Sequence, residues 1–352
     1  MLKQLLFFSA IFFSPALKAQ YRNLVFEGGG IRGIAYAGAV QTLEEKGILL
    51  NIDKVAGTSS GSIMALMICL GYNAKEIDSI MINVKVEQFN DGKGGLLGKY
   101  TRVKKFYGIH KGDAFERWLE NLVGKKLGNK LATFADLKKR IEGFQQDVNL
   151  NSIYRLKNLY CLGTNLTKQQ AEVFSYETTP NMPLKTAVRI SCSIPIFYEP
   201  VLLDSVGNRI EEPKKGQSFQ VYADGGIMAN YPINLFDSCS AGGDPLFCDN
   251  VIHNYQTLGL KLDRNEQIEQ LATSTQIPEY NISNLTDYTA AFMNLVMETM
   301  NRKPNLENEK NRTIYIGYGN VFSKPRKMPA KEKRELFESG RSAVATFLKQ
   351  HK

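Results

Sequence analysis

Histidine is scarce in this chain: its 352 residues include only three, His110, His253 and His351. A serine triad needs a histidine base, so any such triad would have to use one of them. His351 is the penultimate residue, His110 follows a basic segment, and His253 stands at the start of a predicted strand rather than on a loop beyond one. The scarcity therefore favours chemistry that does not use histidine.

The sequence also lacks internal repeats, low-complexity stretches and any cysteine and histidine cluster with the spacing of a zinc site. Its composition, 43% hydrophobic and 22% charged, is typical of a globular protein with one large domain or two small ones. The formal charge of +9 suits an anionic membrane surface or a nucleic acid, although a solvated basic surface would give the same value.

The five cysteines are an odd number, so at least one is unpaired or pairs between chains. Cys69, Cys161 and Cys192 lie in apolar or small-residue segments and are predicted to be buried thiols. Cys239 and Cys248 flank a glycine-rich loop and could form a disulfide if the protein is exported.

The N-terminus has the pattern of a signal peptide. Lys3 precedes an apolar run from Leu5 to Phe13, and small residues precede Gln20. The run is too short to span a bilayer permanently. We predict that residues 1–19 are removed, which lowers the formal charge from +9 to +7, and that the protein is exported to the periplasm or secreted. The alternative is an N-terminal helix packed on a domain that is cytoplasmic or membrane-associated.

Short apolar runs alternate with helical patterns along the chain. The predicted strands are Leu24–Phe26, Lys54–Ala56, Leu159–Gly163, Gln220–Ala223, His253–Leu262 and Thr313–Gly317. The predicted helices are Ile34–Lys46, Ile63–Leu70 and about Lys331–Lys349. Strands separated by helices imply an α/β fold with a mostly parallel central sheet covered on both faces.

Two further segments have open roles. Residues 84–111 are rich in glycine and lysine around Leu96 and Leu97, which predicts a mobile basic loop. Such a loop could be a lid or membrane contact, or a plain surface loop. The last helix carries apolar residues at helical spacing and is expected to dock onto the core rather than to enter a membrane.

The segment from Gly57 to Gly61 joins a predicted strand to an apolar helix and contains Gly-x-Ser-x-Gly. Its glycines allow a sharp turn that pushes the Ser59 hydroxyl off the strand end, at a helix N-terminus. Free N–H groups and the helix dipole favour developing negative charge there. The motif alone also fits an ordinary turn, but its context indicates that Ser59 is a nucleophile.

The segment from Gly28 to Gly33 joins the first strand to the first helix. Its consecutive glycines expose N–H groups that can donate to an anionic oxygen. It also satisfies the Gly-x-Gly-x-x-Gly pattern of a dinucleotide site, which needs an acid at the end of the second strand. Asp53 precedes that strand instead, so a nucleotide-binding oxidoreductase is the less favoured alternative.

Asp224 directly follows a predicted strand and is followed by Gly225 and Gly226. An aspartate in an ordinary β-turn would look the same. Because histidine is scarce, Asp224 is the candidate base for Ser59.

These three motifs, with the segment Arg189–Pro200 before the aspartate, resemble those of the patatin-like phospholipase family over roughly Asn23 to Phe236. The resemblance implies a three-layer α/β/α fold and hydrolysis of glycerolipid acyl esters, as in a phospholipase A or related carboxylic ester hydrolase, without metal or cofactor. It implies these site residues: Ser59 as nucleophile, Asp224 as base, Gly28, Gly29 and Gly30 as oxyanion hole, and Arg32, Gly57, Gly61, Gly225 and Gly226 in support.

The resemblance divides the chain into a signal peptide (1–19), a catalytic domain (23–236) and a C-terminal part (237–352) expected to pack on the same domain. Glu27 stands where the family often has aspartate, and Tyr231 departs from the usual Asn-Asn-Pro sequence. We expect a glycerolipid or phospholipid substrate at a peripheral membrane surface and no nucleic acid partner. A catalytically silent lipid-binding protein is the main alternative function.

Overall fold

The computed structural model describes residues 21–92, 95–145, 155–270, 306–319, 321 and 326–351, with isolated positions between 279 and 295. The predicted signal peptide, residues 1–19, lies outside the described residues.

The strands, in chain order, are β1 (Asn23–Phe26), β2 (Lys54–Gly57), β3 (Gly108–His110), β4 (Asn158–Asn165), β5 (Gln170–Phe174), β6 (Ile196–Tyr198), β7 (Val201–Leu203), β8 (Arg209–Ile210), β9 (Gln220–Asp224), β10 (Ser238–Cys239), β11 (Val251–Ile252), β12 (Thr257–Asp263) and β13 (Thr313–Gly317).

The α-helices are α1 (Ala35–Glu45), α2 (Ser60–Cys69), α3 (Ala74–Asn83), α4 (Gly95–Phe106), α5 (Asp113–Leu127), α6 (Phe134–Gln145), α7 (Leu184–Ser191), α8 (Gly226–Ala229), α9 (Asn265–Gln270), α10 (Leu306–Lys310) and α11 (Ala330–Gln350). Within the described ranges, no helix is both long enough and apolar enough to cross a bilayer.

A nine-stranded mixed sheet forms the centre of the molecule. Strands β13, β12, β1, β2 and β4 are neighbours in that order and all run parallel. Strands β5 and β9 pair antiparallel with β4, and β7 and β8 continue the sheet beyond β9. The prediction of an α/β fold with mostly parallel strands is therefore confirmed.

The register on β4 decides which strand ends meet. Cys161 pairs with Gly57 of β2 and with Phe174 of β5, so β2 and β5 lie on opposite edges of β4. Gly163 pairs with both β5 and Asp224 of β9, so β9 lies on the same edge as β2. Because β2 runs parallel to β4 and β9 runs antiparallel to it, their carboxyl ends point at each other along one edge.

Successive side chains of the sheet point to opposite faces, and both faces are covered. Leu24 and Phe26 lie in the main apolar core, together with residues of α1, α2 and α11. Val25 and Ala56 point the other way and pack with Ile233. That second face is covered by α8 and the 3-10 turns that follow it. The result is the predicted three-layer arrangement.

The last helix, α11, crosses α1 at two glycines. A Cβ atom on Gly38 would lie 1.8 Å from the carbonyl oxygen of Phe337, and one on Gly340 would lie 2.0 Å from that of Ala35. Phe337 and Val344 of α11 are buried. The prediction that this helix docks onto the core is therefore confirmed.

Two predictions of local structure were wrong. The described part of residues 84–111 forms a 3-10 turn, helix α4 and strand β3 instead of a loop, because no glycine interrupts the chain from Lys99 to Tyr107. The strand predicted to begin at His253 begins at Thr257. The Asn254 side chain accepts a backbone N–H two residues ahead, and this turn delays the strand.

The cysteines follow the sequence prediction. Cys239 and Cys248 form a disulfide. Cys69, Cys161 and Cys192 are free and buried.

Replacing Gly340 with alanine should destabilise the protein, because the new methyl group would force α1 and α11 apart. We expect the free energy of unfolding to fall by about 1–3 kcal/mol. The matched control is Gly143→Ala in α6, where a Cβ would meet nothing within 4 Å. That change should raise stability by up to about 1 kcal/mol. Urea unfolding of both variants measures this, and equal effects would contradict the close helix crossing.

Candidate active site

Ser59 occupies the turn between β2 and α2 in a backbone conformation that non-glycine residues rarely adopt, with φ 49° and ψ −124°. Its N–H donates to the Ser191 hydroxyl at 3.0 Å. Its carbonyl oxygen accepts a hydrogen bond from the Ser62 hydroxyl at 2.6 Å. These bonds hold a buried serine in a strained turn, as expected for a side chain that must be aimed precisely.

The glycines around Ser59 are required by close contacts. A Cβ atom on Gly57 would lie 2.3 Å from carbonyl atoms of Gly61. One on Gly61 would lie 2.4 Å from the carbonyl oxygen of Phe26. A larger residue at Gly57 would open the turn, and one at Gly61 would push it away from β1, so the local sequence dictates this geometry.

Asp224 ends β9 and is fixed through its backbone and its side chain. Its N–H donates to the carbonyl of Ser193 at 2.9 Å, and its own carbonyl accepts from the Thr164 hydroxyl at 2.9 Å. Its carboxylate accepts the Gly226 N–H at 2.8 Å. A Cβ on Gly225 would lie 2.3 Å from a carbonyl oxygen of β4, so the chain turns tightly there.

The head-on approach of β2 and β9 brings Ser59 and Asp224 together. The Ser59 hydroxyl lies within hydrogen-bonding reach of the Asp224 carboxyl group. Burial raises the pKa of Asp224 to about 7, although hydrogen bonds from Gly226 and Ser59 act in the opposite direction. Such a carboxylate is more basic than one in water yet partly ionised near neutral pH. The pair can therefore exchange a proton.

The glycine-rich loop after β1 lies directly against this pair. A Cβ atom on Gly28 would approach the Cβ of Ser59 to 3.2 Å. Glu27, at the start of the loop, accepts the Leu262 N–H at 2.8 Å and the Asn230 side-chain amide at 3.3 Å. The departure to glutamate at this position therefore still supplies a carboxylate that ties β1 to β12 and to α8.

The three predicted glycine donors differ in what their N–H groups do. Gly28 donates to the carbonyl of Asn230 at 3.0 Å, and Gly29 donates to the Ser60 hydroxyl at 3.0 Å. For Gly30, with φ 57°, no acceptor is present in the described part of the chain. Gly30 is therefore the donor of the three that is open to an incoming oxygen.

Arg32 follows the glycines, and its side chain is held by the C-terminal part. Its Nε donates to the carbonyl of Val321 at 2.7 Å. Its guanidinium lies 3.7 Å from the ring centroid of Tyr318. Sequence reasoning identified Arg32 but not these two partners, which lie far along the chain and carry no motif.

Other reactive groups are engaged elsewhere. In the described structure His110 contacts the Asp91 carbonyl, His253 contacts the Asp237 carboxylate, and His351 contacts a carbonyl one helical turn back. Each histidine therefore bonds to a partner other than Ser59 or Asp224.

The dinucleotide alternative lacks its acid. Asp53 lies before the amino end of β2 and pairs with Arg22 at 3.1 Å and Arg155 at 2.5 Å. The glycine loop lies at the carboxyl end of the neighbouring strand, so this carboxylate cannot bind a ribose there.

Three residues beside Ser59 were missed from the sequence. Ser60 and Ser191 accept the backbone bonds described above, and the Cys192 thiol lies 3.7 Å from the Ser62 hydroxyl. Burial raises the pKa of Cys192, so its thiol stays protonated and does not compete as a nucleophile. Small residues of this kind carry no signal until the fold places them.

Comparison with known proteins identifies the family to which this chain belongs. The family model of Patatin-like phospholipase matches residues 24–237. The uncharacterized protein YqhO of Bacillus subtilis is 28% identical over 335 residues, which is 94% of this chain and 99% of that protein. The probable lipid hydrolase 463L of Invertebrate iridescent virus 6 is 27% identical over 235 residues, 63% of this chain and 66% of that protein.

A solved structure shares the fold. The crystal structure of VipD from Legionella pneumophila superposes with a TM-score of 0.57 and 19% identity, and covers 94% of this chain and 67% of that one. At this identity the similarity concerns the fold alone.

Burial of Asp224 makes stability depend on pH. The pKa of Asp224 is about 7 in the folded protein and near 3.8 when the side chain is exposed. The folded state therefore binds a proton more tightly than the unfolded state. The stability that this proton contributes is fully present below pH 4 and is lost as the pH rises towards 7. Asp224→Asn should therefore raise the free energy of unfolding more at pH 8 than at pH 5, by up to a few kcal/mol, and the melting temperature should rise with it. Thermal denaturation at both pH values tests this, and an equal change at both would contradict the raised pKa.

Proposed function

The chain belongs to the patatin-like phospholipase family, and from this premise we propose that it is a serine lipid acyl hydrolase working through a Ser59–Asp224 dyad. The proposal rests above all on one observation: a serine held in a strained turn lies beside a buried carboxyl group, lowers its pKa by hydrogen bonding, and leaves that pKa raised by burial to about 7. The substrate class is a glycerolipid or phospholipid acyl ester.

The first half of the reaction forms an acyl-enzyme. The Ser59 oxygen attacks the ester carbonyl carbon while its proton moves to the Asp224 carboxylate. The resulting oxyanion accepts the Gly30 N–H, and Gly28 and Gly29 hold the loop in place through their own bonds. A donor of this kind contributes about 3 kcal/mol. When the ester bond breaks, protonated Asp224 gives its proton to the leaving alcohol.

The second half releases the fatty acid. A water molecule attacks the acyl carbonyl and loses a proton to Asp224, and the Gly30 N–H donates to the second oxyanion as it did to the first. The bond to Ser59 then breaks, and its oxygen recovers the proton from Asp224. If an alcohol takes the place of water, the same steps give acyl transfer.

Replacing either member of the dyad should abolish hydrolysis of p-nitrophenyl acyl esters without unfolding the protein. Ser59→Ala removes the nucleophile and Asp224→Asn removes the base, so we expect kcat to fall at least about 1000-fold in each. Ser205→Ala, an exposed serine in a turn, is the control and should be unaffected. Full activity in either dyad variant would refute the assignment.

A fluorophosphonate probe separates this proposal from a catalytically silent lipid-binding protein. The probe should label the wild-type protein at Ser59 and leave Ser59→Ala unlabelled. Lipid binding without any labelling would favour the silent alternative. Incubation with mixed phospholipids, with Ser59→Ala as control, would then identify the acyl position and headgroup.

We also propose that the protein is exported after removal of residues 1–19. The proposal draws on the charged start and apolar run of that segment and on the Cys239–Cys248 disulfide, which suits an oxidising compartment. The mass of protein recovered from the periplasm or medium should correspond to a chain starting at Gln20. Recovery of the chain with Met1 from the cytoplasm alone would contradict it.

A further inference from the structure

Helix α4 exposes apolar side chains where a surface helix normally has polar ones. Its outer face carries Leu97, which is 77% exposed, and Tyr100, which is 67% exposed. Its opposite face is partly covered, and there Arg102 pairs with Glu199 at 3.4 Å. The helix is therefore anchored on one side and turns large apolar groups outward on the other.

Two more exposed apolar residues lie where β3 and β6 pair. Gly108 is the partner of Ile196 in the register, so Tyr107 lies next to that pair. Tyr107 and Ile196 are each 63% exposed. Both have positive φ, 63° and 68°, which is rare for any non-glycine residue and more so for a β-branched one. Backbone strain and exposed apolar side chains therefore occur together at this pair of strands.

A buried arginine maintains this strained segment. The guanidinium of Arg189, which is 1% exposed, donates to the Ser193 hydroxyl at 2.5 Å and to the Glu199 carbonyl at 2.9 Å. It therefore grips the chain on both sides of Ile196. Strained conformations persist where the surroundings fix them in this way.

The same segment connects the exposed group to the catalytic dyad. The carbonyl of Ser193 accepts the backbone N–H of Asp224, and Ile196 lies three residues further along. Three residues span at most about 11 Å. Ile196 therefore lies within about 11 Å of the residue that bonds to the Asp224 backbone.

The charged residues of helix α4 itself are all of one sign. Between Gly95 and Phe106 the sequence has no acidic residue, and Lys99, Lys104 and Lys105 are exposed. Exposed apolar residues mixed with lysines on one helix are typical of a surface that lies in the headgroup region of an anionic bilayer. A nucleic acid would pair with the lysines but would leave Leu97 and Ile196 in water.

We propose that this docking face, formed by Leu97, Tyr100, Tyr107 and Ile196 with Lys99, Lys104 and Lys105, binds an anionic phospholipid surface and holds the dyad against it. The inference rests on the proposed lipid hydrolase function but concerns binding, which is measured separately from catalysis. Binding should weaken as salt rises, because the screening length falls from about 8 Å at 0.15 M to about 3 Å at 1 M.

The test is flotation of the full chain with vesicles of phosphatidylglycerol and phosphatidylcholine, in a Ser59→Ala background that leaves the vesicles intact. Leu97→Asp with Tyr100→Asp should weaken binding at least about tenfold. The matched control is Leu50→Asp with Tyr255→Asp, which are 46% and 58% exposed and lie before the amino ends of β2 and β12. The control should float as the parent does.

Ile196→Gly gives a second measurement that does not depend on adding charge. Glycine accepts positive φ without strain, so the variant should fold with an unchanged or higher melting temperature and still bind vesicles more weakly. Equal flotation of docking-face and control variants would overturn the proposal. The proposal would also be overturned if substitutions in the docking face only converted a dimer to a monomer, or only abolished DNA binding.

Activity on a soluble short-chain ester distinguishes the proposed hydrolase function from the proposed lipid binding by the docking face. With Ser59 restored, the variant carrying Leu97→Asp and Tyr100→Asp should hydrolyse that ester at the parental rate and lose activity only on vesicles. If the parent protein has no esterase activity, the proposed function fails, while flotation still decides whether the docking face binds lipid.

Discussion

Two strand ends that face each other along one edge of β4 are the constraint on which this molecule depends. Parallel β2 brings Ser59 to that edge from one side, and antiparallel β9 brings Asp224 from the other. The turns at these ends are tight: a Cβ atom on Gly57 would meet Gly61, one on Gly61 would meet Phe26 of β1, and one on Gly225 would meet Leu162 of β4. The pairing of both strands with β4 therefore places Ser59 and Asp224 next to each other.

This arrangement buries the Asp224 carboxyl group, and the rest of the fold must compensate for the free-energy cost of that burial. Burial raises the pKa of Asp224 to about 7, and only the Gly226 N–H and the Ser59 hydroxyl oppose this. A more generous set of hydrogen-bond donors would stabilise the charged form and make it a weaker base. The sparse solvation of Asp224 is thus a compromise between stability and basicity, of the kind found where proteins carry reactive groups.

The sequence predicted the parts of the site that depend on local geometry. Glycines next to Ser59 and Asp224 report tight turns, and tight turns at strand ends are readable without a fold. The hydrogen bonds that the Ser59 and Gly29 N–H groups donate to the Ser191 and Ser60 hydroxyls could not be predicted, because they exist only once distant elements pack. Helix α4 was misread for the opposite reason: glycines at its start resemble a loop, although the residues after them form a helix.

The C-terminal part takes a direct share in the site, although its sequence carries no motif. Strand β12 lies beside β1, and its Leu262 holds the Glu27 carboxylate and presses on the loop: a Cβ on Gly29 would lie 2.4 Å from its side chain. Tyr318 holds Arg32 from the same direction. The glycine loop is therefore held both by residues within the range that matches the family model and by residues after it. Its geometry is a property of the whole sheet, so residues after 237 help to position the backbone N–H groups of the glycine loop.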